Sequence, residues 1–435
     1  MKKIVVNGAR RLDGEISVEG AKNSTLPILA ACVLANGVNV IHNCPDLTDV
    51  NAAIKILEHL GCRVTREGAT VTVDSSSVNR YDIPHSLMKE MRSSIVFMGS
   101  IAARTGKVDI SMPGGCEIGL RPIDLHLSSV RQLGMDVIND HGHIICENSA
   151  RLKGARIALS FPSVGATENI MLAACTAKGH TTLINPAREP EISDLADFLN
   201  RAGAKIYGAG DSVMEIEGVE KLRGVEHTVI PDRIIATTYM AGAAITYGKV
   251  RLKNIIPAHL MPIIPIFEQM GCDIDVRSGE LSLISPPRLK GVKNIRTMPY
   301  PGFPTDAQAP VMAVTTLAST TSVFVENIFE SRYKHVSELI RMGAKIEVND
   351  RVAVVEGVQS LYGVPVESPD LRGGAALVVA ALAAHGQTHI SSVSHIDRGY
   401  PSIEKSFASL GADIKRIDEN EEQQTGDKQR GRASL

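Results

Sequence analysis

The amino-acid sequence predicts an α/β fold of six repeated units, and three observations support this. An amphipathic helix ends at a glycine six times, and the successive glycines are separated by 73, 69, 68, 72 and 68 residues. The same order of elements precedes each glycine, and one helix of each unit is apolar on nearly all sides. The glycines are Gly61, Gly134, Gly203, Gly271, Gly343 and Gly411. Each unit is therefore predicted as βαβαββ, the pattern of a repeat architecture.

Within a unit, a polar residue opens an apolar helix, a short β-branched strand follows, and a loop leads to the amphipathic helix. The closing glycine fits a helix C-cap, where positive φ is needed, and two short strands complete the unit. Helices that are apolar all round belong inside a domain. The predicted buried helices span 26–33, 95–102, 170–174, 234–244, 310–317 and 375–383.

Polar residues open all six buried helices. The openings are Lys22-Asn23, Arg92-Ser93, Thr167-Glu168, Asp232-Arg233, Thr305-Asp306 and Asp370-Leu371-Arg372. Four of them include a cation, which costs about 0.3–1 kcal/mol at the positive end of a helix dipole. Repeating this arrangement favours bound anions, because helix N-termini and cations together form anion sites. The alternative is that the cations are solvated or pair with neighbouring acids such as Asp232 and Asp370.

A second set of arginines lies in the loop before the amphipathic helix. Arg121, Arg188, Arg332 and Arg398 precede the repeat glycine by 13, 15, 11 and 13 residues, and only the first and fourth units lack this arginine. The two sets of cations predict a cleft that binds strongly anionic, phosphorylated ligands.

The loop of the second unit, at 113–123, is about twice as long as its counterpart at 44–48 and is rich in glycine. It carries Cys116, with Arg121 nearby. A Pro-Gly-Gly loop is a poor place to bury a thiol, and reactive thiols need exposure and positive surroundings. The sequence therefore favours a functional Cys116 over a buried free cysteine, whereas four other cysteines sit in apolar helical contexts.

The repeats also predict two domains. Three units fill 22–230 and three fill 231–417, but the last unit is short of strands. Two strand-like stretches, at 3–7 and 15–19, are predicted to complete it, so that domain two contains 1–21 as well. Residues 418–435 are polar and repetitive, which predicts a disordered tail. Two crossings between domains favour a hinged pair with a cleft.

Composition excludes several classes of protein. A chain of 435 residues with 44% hydrophobic residues has enough apolar side chains for large cores, which must be aliphatic because aromatics are only 4%. The apolar runs are too short for membrane spans. A net charge of −2 gives no footprint for nucleic acid. Seven irregularly spaced cysteines favour a reducing cytoplasm over a disulfide framework, and no spacing predicts a metal site.

The motifs together resemble the UDP-N-acetylglucosamine enolpyruvyl transferase family over about residues 1–417. The resemblance lies in Gly20–Asn23, Met91–Ser94, Pro113–His126, Ser163–Thr167, Ala187–Glu191, Pro301–Asp306, Asp370–Gly374 and His395–Tyr400. One departure is Phe161, where some members carry a lysine near the diphosphate. The resemblance implies a two-domain inside-out α/β barrel in which the buried helices point their N-termini at the cleft.

The resemblance also implies an activity, the first committed step of peptidoglycan synthesis in the cytoplasm. The enolpyruvyl group of phosphoenolpyruvate moves to the 3′-hydroxyl of UDP-N-acetylglucosamine and phosphate leaves, with no metal or organic cofactor. Lys22, Asn23, Arg121 and Arg398 are implied to bind phosphoenolpyruvate. The residues implied to bind the sugar nucleotide are Arg92, Arg121, Pro122, Ile123, Asp124, Leu125, Ser163, Val164, Gly165, Asp306 and Ile328.

Three residues are implied to act in catalysis, namely Lys22, Cys116 and Asp306. Cys116 could be a proton donor, a covalent trap for phosphoenolpyruvate or an aid to product release, and Asp306 could be a base or only a helix N-cap. Two alternative functions are a shikimate-pathway enolpyruvyl transferase and a catalytically weak paralogue that regulates the pathway. The oligomeric state is unknown.

Overall fold

The computed structural model describes residues 2–112, 123–148 and 151–418. As far as residue 228 the elements are β1 (Lys2–Asn7), β2 (Asp13–Ser17), α1 (Lys22–Cys32), β3 (Ala35–Asn36), β4 (Val38–His42), α2 (Thr48–His59), β5 (Arg63–Glu67), β6 (Thr70–Asp74), β7 (Asp82–Ile83), α3 (His85–Glu90), α4 (Phe97–Thr105), β8 (Lys107–Ser111), α5 (Asp124–Gln132), β9 (Asp136–Asp140), β10 (His143–Glu147), β11 (Arg156–Ala158), α6 (Val164–Ala174), β12 (His180–Ile184), α7 (Pro190–Arg201), β13 (Lys205–Tyr207), β14 (Val213–Glu217), β15 (Leu222–Arg223) and β16 (Glu226–Thr228).

From residue 233 the elements are α8 (Arg233–Ile245), β17 (Lys249–Lys253), α9 (Ile264–Gln269), β18 (Asp273–Arg277), β19 (Glu280–Ile284), β20 (Ile295–Arg296), α10 (Thr305–Thr315), β21 (Ser322–Val325), α11 (Val336–Arg341), β22 (Lys345–Asn349), β23 (Val352–Glu356), β24 (Pro365–Glu367), α12 (Leu371–Ala383), β25 (Gln387–Ser391), α13 (Ile403–Ser409) and β26 (Asp413–Asp418). Short 3₁₀ turns span Arg92–Val96, Pro257–Leu260 and Val393–Arg398.

Six four-stranded sheets repeat one arrangement. In each, an edge strand runs parallel to the strand that follows the buried helix, and two further strands continue the sheet antiparallel. The strand orders are β16-β4-β6-β5, β7-β8-β10-β9, β11-β12-β14-β13, β2-β17-β19-β18, β20-β21-β23-β22 and β24-β25-β1-β26. The predicted six-unit α/β fold is confirmed.

The repeat glycines end the amphipathic helices as predicted. All six have φ between +95° and +108°, a conformation that only glycine adopts without steric cost. At Gly61, the amide of the following Cys62 donates to the carbonyl of Leu57 at 2.9 Å, which is the 6→1 bond of a Schellman motif. The buried helix of the second unit differs from the prediction, because a 3₁₀ turn precedes it and α4 begins only at Phe97.

Two hydrophobic cores are present. One runs from Ala21 to Val229, and the other combines residues 4–18 with residues 235–414. The chain start joins the second core because β1 lies between β25 and β26, while β2 pairs with β17. The predicted domain boundaries lie close to the division between the cores and stay a prediction. The tail prediction was wrong by one residue, since Asp418 pairs with Lys2 in β26. Residues 419–435 lie outside the described part of the chain.

We expect Ile4→Ala to destabilise the protein by roughly 2–5 kcal/mol, because it removes a fully buried side chain from a strand enclosed on both sides. Urea unfolding followed by far-UV circular dichroism measures this. Lys2→Ala is the matched control, since the Lys2 side chain on the same strand is exposed and should change stability by less than about 0.5 kcal/mol. Equal effects of the two substitutions would contradict the placement of β1.

Candidate active site

Two of the residues implied to bind phosphoenolpyruvate meet at a buried carboxylate. The Lys22 ammonium lies 2.6 Å from Oδ2 of Asp49. The Arg398 guanidinium donates to the same carboxylate from Nε at 2.9 Å and from Nη2 at 3.1 Å. Lys22 and Asp49 lie in the part of the chain that forms the first core, and Arg398 lies in the part that forms the second. Asp49 is 1% exposed and therefore joins the two cations inside the protein.

Local structure explains this meeting. Lys22 is the first residue of α1 and Asp49 is the second residue of α2, so both lie at the start of a helix. Arg398 closes a 3₁₀ turn after β25. Burial lowers the pKa of Lys22 to about 8, an effect that the guanidiniums of Arg398 and Arg372 reinforce and that Asp49 opposes. Burial alone would raise the pKa of Asp49, but Lys22 and Arg398 outweigh it and lower that pKa.

Asp306 forms a second cluster beside the first. Its Oδ1 accepts from Arg332 at 2.7 Å, and its Oδ2 accepts from Arg372 at 3.2 Å and from the Asn23 amide at 3.4 Å. The two arginine side chains are 3% and 2% exposed, whereas the Asp306 side chain is 27% exposed. Arg372 also donates to the Tyr400 hydroxyl at 3.2 Å. Asp306 is thus a solvent-accessible carboxylate held by two buried cations.

The N-cap role considered for Asp306 is wrong. The N-cap of α10 is Pro304, and no side chain caps this helix. Asp306 is the second residue of the helix, and its carboxylate accepts hydrogen bonds from the guanidiniums of Arg332 and Arg372 instead. Its position therefore fits a role in the cleft better than a role in helix termination.

The sequence offered ion pairing with acids such as Asp232 and Asp370 as an alternative. Ion pairs do form, but with other acids. Asp232 and Asp370 are N-caps, whose carboxylates accept from the first amides of α8 and α12. Three of the helix-opening cations pair with more distant acids, Lys22 with Asp49, Arg233 with Glu191 and Arg372 with Asp306. These pairings bring together residues that the sequence places 27, 42 and 66 positions apart.

A third cluster of charges links the two cores. Glu191, near the start of α7, accepts from Arg233 at 3.1 and 3.3 Å. Glu189 accepts from the Tyr300 amide at 3.3 Å, and the Arg233 guanidinium lies 5.6 Å from the Tyr300 ring centre. Burial, together with Glu191 and Glu189, raises the pKa of Glu168 well above its ordinary value. The half-buried Arg188 beside this cluster makes no hydrogen bond to a described residue.

The segments implied to bind the sugar nucleotide converge on Asn169. This fully buried side chain donates to the carbonyls of Ile95 and Gly165 and contacts Nδ1 of His126 at 2.9 Å. It thereby ties the turn that begins at Arg92 to the start of α6. Ser163 caps α6 by accepting from the Ala166 amide.

Close packing keeps these segments together. A Cβ on Gly165 would lie 2.9 Å from the His126 ring, so a larger residue there would require that ring to move. His126 belongs to α5, whose start carries Asp124 and Leu125 and follows Ile123. The starts of α5 and α6 are therefore neighbours, with Val164 between Ser163 and Gly165. The side chain of Arg92 is not part of the description.

Ile328 is connected to Asp306 through Glu326. The Ile328 amide donates to Oε1 of Glu326 at 2.9 Å, and the Thr305 hydroxyl donates to Oε2 at 3.0 Å. Thr305 is the residue before Asp306. The Glu326 carboxylate therefore links Ile328 to the residue that precedes Asp306.

Cys116, Arg121 and Pro122 lie outside the described residues. The six described cysteines are buried, namely Cys32, Cys44, Cys62, Cys146, Cys175 and Cys272. Burial raises the pKa of their thiols, to about 12 for Cys44, Cys62, Cys175 and Cys272 and to about 11 for Cys146. Each of them is thus a poor nucleophile near neutral pH.

Sequence reasoning missed Asp49 and Asn169. An available signal for Asp49 was its place in the repeat, because Asp49 and Glu191 both precede their repeat glycine by 12 residues and both are buried acids. The signal for Asn169 was an amide within an otherwise apolar helix. Among the described residues, no group of three His, Cys, Asp or Glu side chains could hold a metal ion. No described helix is both long and apolar enough to traverse a bilayer.

Known proteins are similar to this chain over nearly its full length. Residues 6–407 match the family model described as EPSP synthase (3-phosphoshikimate 1-carboxyvinyltransferase). The chain is 50% identical to UDP-N-acetylglucosamine 1-carboxyvinyltransferase 2 of Caldanaerobacter subterraneus subsp. tengcongensis, covering 96% of this chain and 100% of that protein. It is 47% identical to UDP-N-acetylglucosamine 1-carboxyvinyltransferase of Geobacter metallireducens, again covering 96% and 100%.

Solved structures agree on the fold. The enolpyruvyl transferase NikO from Streptomyces tendae matches with a TM-score of 0.86 and 25% identity, covering 96% of this chain and 99% of that one. An EPSP synthase from Acinetobacter baumannii shares the fold with a TM-score of 0.72 at 19% identity, covering 96% and 100%. From the family model, the near full-length identity and the fold together, it follows that the chain belongs to the enolpyruvyl transferases, among the UDP-N-acetylglucosamine 1-carboxyvinyltransferases.

Proposed function

We propose that the protein transfers the enolpyruvyl group of phosphoenolpyruvate to the 3′-hydroxyl of UDP-N-acetylglucosamine and releases phosphate, the first committed step of peptidoglycan synthesis. The observation that carries this proposal is the meeting of Lys22 and Arg398 at Asp49, next to the Asp306 cluster. Arg372 connects the two places, because it bonds Asp306 and also lowers the pKa of Lys22. Cations that can bind the anionic donor, phosphoenolpyruvate, thus lie next to a carboxylate, Asp306, that can act on the acceptor, UDP-N-acetylglucosamine.

Phosphoenolpyruvate carries a phosphate and a carboxylate, and both need cations in a site sheltered from water. Lys22 and Arg398 supply two, and we assign Arg121 as a third, with Asn23 as a hydrogen-bond donor. Preorganised cations act more strongly in a low-dielectric site than in water, and they cost no reorganisation as charge shifts during the reaction. Lys22 is 6% exposed, which fits this requirement.

The chemistry is an addition followed by an elimination. The 3′-oxygen forms a bond to C2 of the enolpyruvyl group while its proton passes to a base and C3 gains a proton from an acid. C3 then loses a proton, the bond from C2 to the phosphate oxygen breaks, and phosphate leaves with the electron pair. We assign Asp306 as the base, since its carboxylate is 27% exposed and lies within hydrogen-bond distance of Asn23, one of the residues assigned to phosphoenolpyruvate.

The acceptor is assigned to the segments joined by Asn169. Arg92, Arg121 to Leu125, Ser163 to Gly165 and Ile328 would surround the sugar nucleotide, with Asp306 at the reacting hydroxyl. We assign Cys116 to the catalytic group, with its role as proton donor, covalent trap or release aid left open. The support for Cys116 is its glycine-rich loop and its nearness in sequence to Arg121.

We further propose that residues 22–230 and residues 1–21 with 231–417 are two domains that close on the substrates. Polar contacts between the two parts of the chain at the site include those of Asp49 with Arg398, Glu191 with Arg233 and Asn23 with Asp306. Closing a cleft excludes water, which would otherwise compete for C2. The proposal does not require either domain to be catalytically active by itself.

Phosphate release with two acceptors tests the function. We expect release from phosphoenolpyruvate to require UDP-N-acetylglucosamine and not to occur with 3-phosphoshikimate. The second acceptor is included because the matching family model is described by that substrate. Release with 3-phosphoshikimate alone would favour the shikimate-pathway alternative, and binding of the sugar nucleotide without release would favour the regulatory paralogue.

Asp306→Asn should lower turnover by roughly 10²–10⁴-fold, the usual contribution of general base catalysis. The substitution also removes an acid from two buried guanidiniums, so we expect a stability loss of roughly 1–3 kcal/mol. Steady-state kinetics normalised to folded protein, with the melting temperature recorded in parallel, separates the two effects. Asp350→Asn is the control, since Asp350 is exposed in the turn between β22 and β23. Near-normal turnover in a stable Asp306→Asn protein would exclude Asp306 as the base.

Cys116 should be the one cysteine that the epoxide antibiotic fosfomycin alkylates rapidly. The six described thiols are buried and have raised pKa values, so they should react slowly in the folded protein. Mass spectrometry of peptides after brief exposure identifies the modified residue. Cys116→Ser should remove the adduct without creating another, whereas rapid modification of Cys44 or Cys146 would contradict the assignment.

A further inference from the structure

Asp49 has no part in the reaction as proposed above, yet it is the shared partner of two residues that do. It is 1% exposed, and its two oxygens receive three contacts of 2.6–3.1 Å from Lys22 and Arg398. The residues come from α1, α2 and the turn after β25, with 349 positions between Asp49 and Arg398. The buried Asp49 carboxylate is held by two cations from different parts of the chain, so its position in the site is fixed.

We propose that Asp49 is a positioning residue for phosphoenolpyruvate, which holds the Lys22 ammonium and the Arg398 guanidinium side by side. The proposal rests on the proposed function, since it concerns how that donor is bound. An ammonium has three donor hydrogens, so one bond to Asp49 leaves Lys22 able to bond an anionic ligand as well. Asp49 thus orients the cation without blocking it.

The charges around Lys22 explain why a fixed acid is needed. Arg398 and Arg372 face Lys22 and disfavour its protonated form, as does burial, whereas Asp49 favours it. Asp232 also faces this region, since its Oδ2 accepts from the Lys22 amide at 3.3 Å, while its other oxygen caps α8. With Asp49 present, the pKa of Lys22 is about 8 and the side chain is largely charged at neutral pH. An opposite charge in contact shifts a pKa by about 1–3 units.

The sign of the effect follows from these charges. Phosphoenolpyruvate requires protonated Lys22, so kcat/KM for phosphoenolpyruvate should fall in the wild-type protein as the pH rises above about 8. Replacing Asp49 by asparagine removes the charge that favours the proton. The alkaline limb should then move down by about 1–3 pH units, and activity at neutral pH should decrease.

The experiment compares pH profiles of kcat/KM for phosphoenolpyruvate in the wild type, Asp49→Asn and Asp49→Glu. We expect Asp49→Asn to raise the KM for phosphoenolpyruvate more than it lowers kcat, and to recover by roughly 4- to 30-fold in kcat/KM when the pH falls from 7.5 to 6, as a shift of about 1–3 units implies. Asp49→Glu keeps the charge and should retain an alkaline limb near that of the wild type. Asp46→Asn is the matched control, because the side chain of Asp46 is 72% exposed three residues earlier.

Two further measurements keep the inference separable from folding and from the proposed function. In the Lys22→Arg protein the side chain at position 22 stays charged over this pH range. Adding Asp49→Asn to that protein should therefore leave the alkaline limb of the pH profile where it was. A loss of activity at every pH, together with a large fall in melting temperature and no recovery by Asp49→Glu, would make Asp49 purely structural. An unchanged profile in stable Asp49→Asn would refute the inference, whereas an inactive wild type would refute the proposed function instead.

Discussion

Burial of the helix starts is the constraint on which the rest of this structure depends. The central helices are apolar on all sides, so they can only lie inside a core, yet their first residues carry charges that water cannot fully solvate there. Each buried charge therefore requires a partner. At α8 and α12 an aspartate caps the helix amides, and at α1 and α12 the opening cation reaches an acid on another element. The candidate active site is the place where the buried charges at the helix starts and their partners come together.

Pairing cations with acids has a consequence for ligand binding. A cluster of unpaired arginines would attract any anion, whereas here Asp49, Glu191 and Asp306 offset part of the positive charge before a ligand arrives. A ligand must therefore match the donors that the acids leave available. Specificity arises from geometry more than from net charge, in line with the near-neutral chain as a whole.

The repeat units and the buried helices could be predicted from the sequence, because apolar periodicity and the glycine at each helix end are local signals. The position of Lys22 at the start of a buried helix followed from the same repeat. Its partner Asp49 could not be predicted in the same way, since the contact to Arg398 spans 349 residues and depends on how the cores meet. The N-cap interpretation of Asp306 was wrong for a similar reason: Arg332 and Arg372 compete for its carboxylate. The edge strand β16 was missed because three residues carry too little pattern.

The position of β1 between β25 and β26 has a consequence for synthesis on the ribosome. Synthesis runs from the N-terminus, so Lys2–Asn7 is made long before its two hydrogen-bonding partners, which come from the last fifty residues that the structure describes. The core that ends at Val229 already has all its strands when translation has passed residue 230, so it can fold while the ribosome is still working. The other core must wait until β25 and β26 have been made, with an apolar strand left unpaired until then.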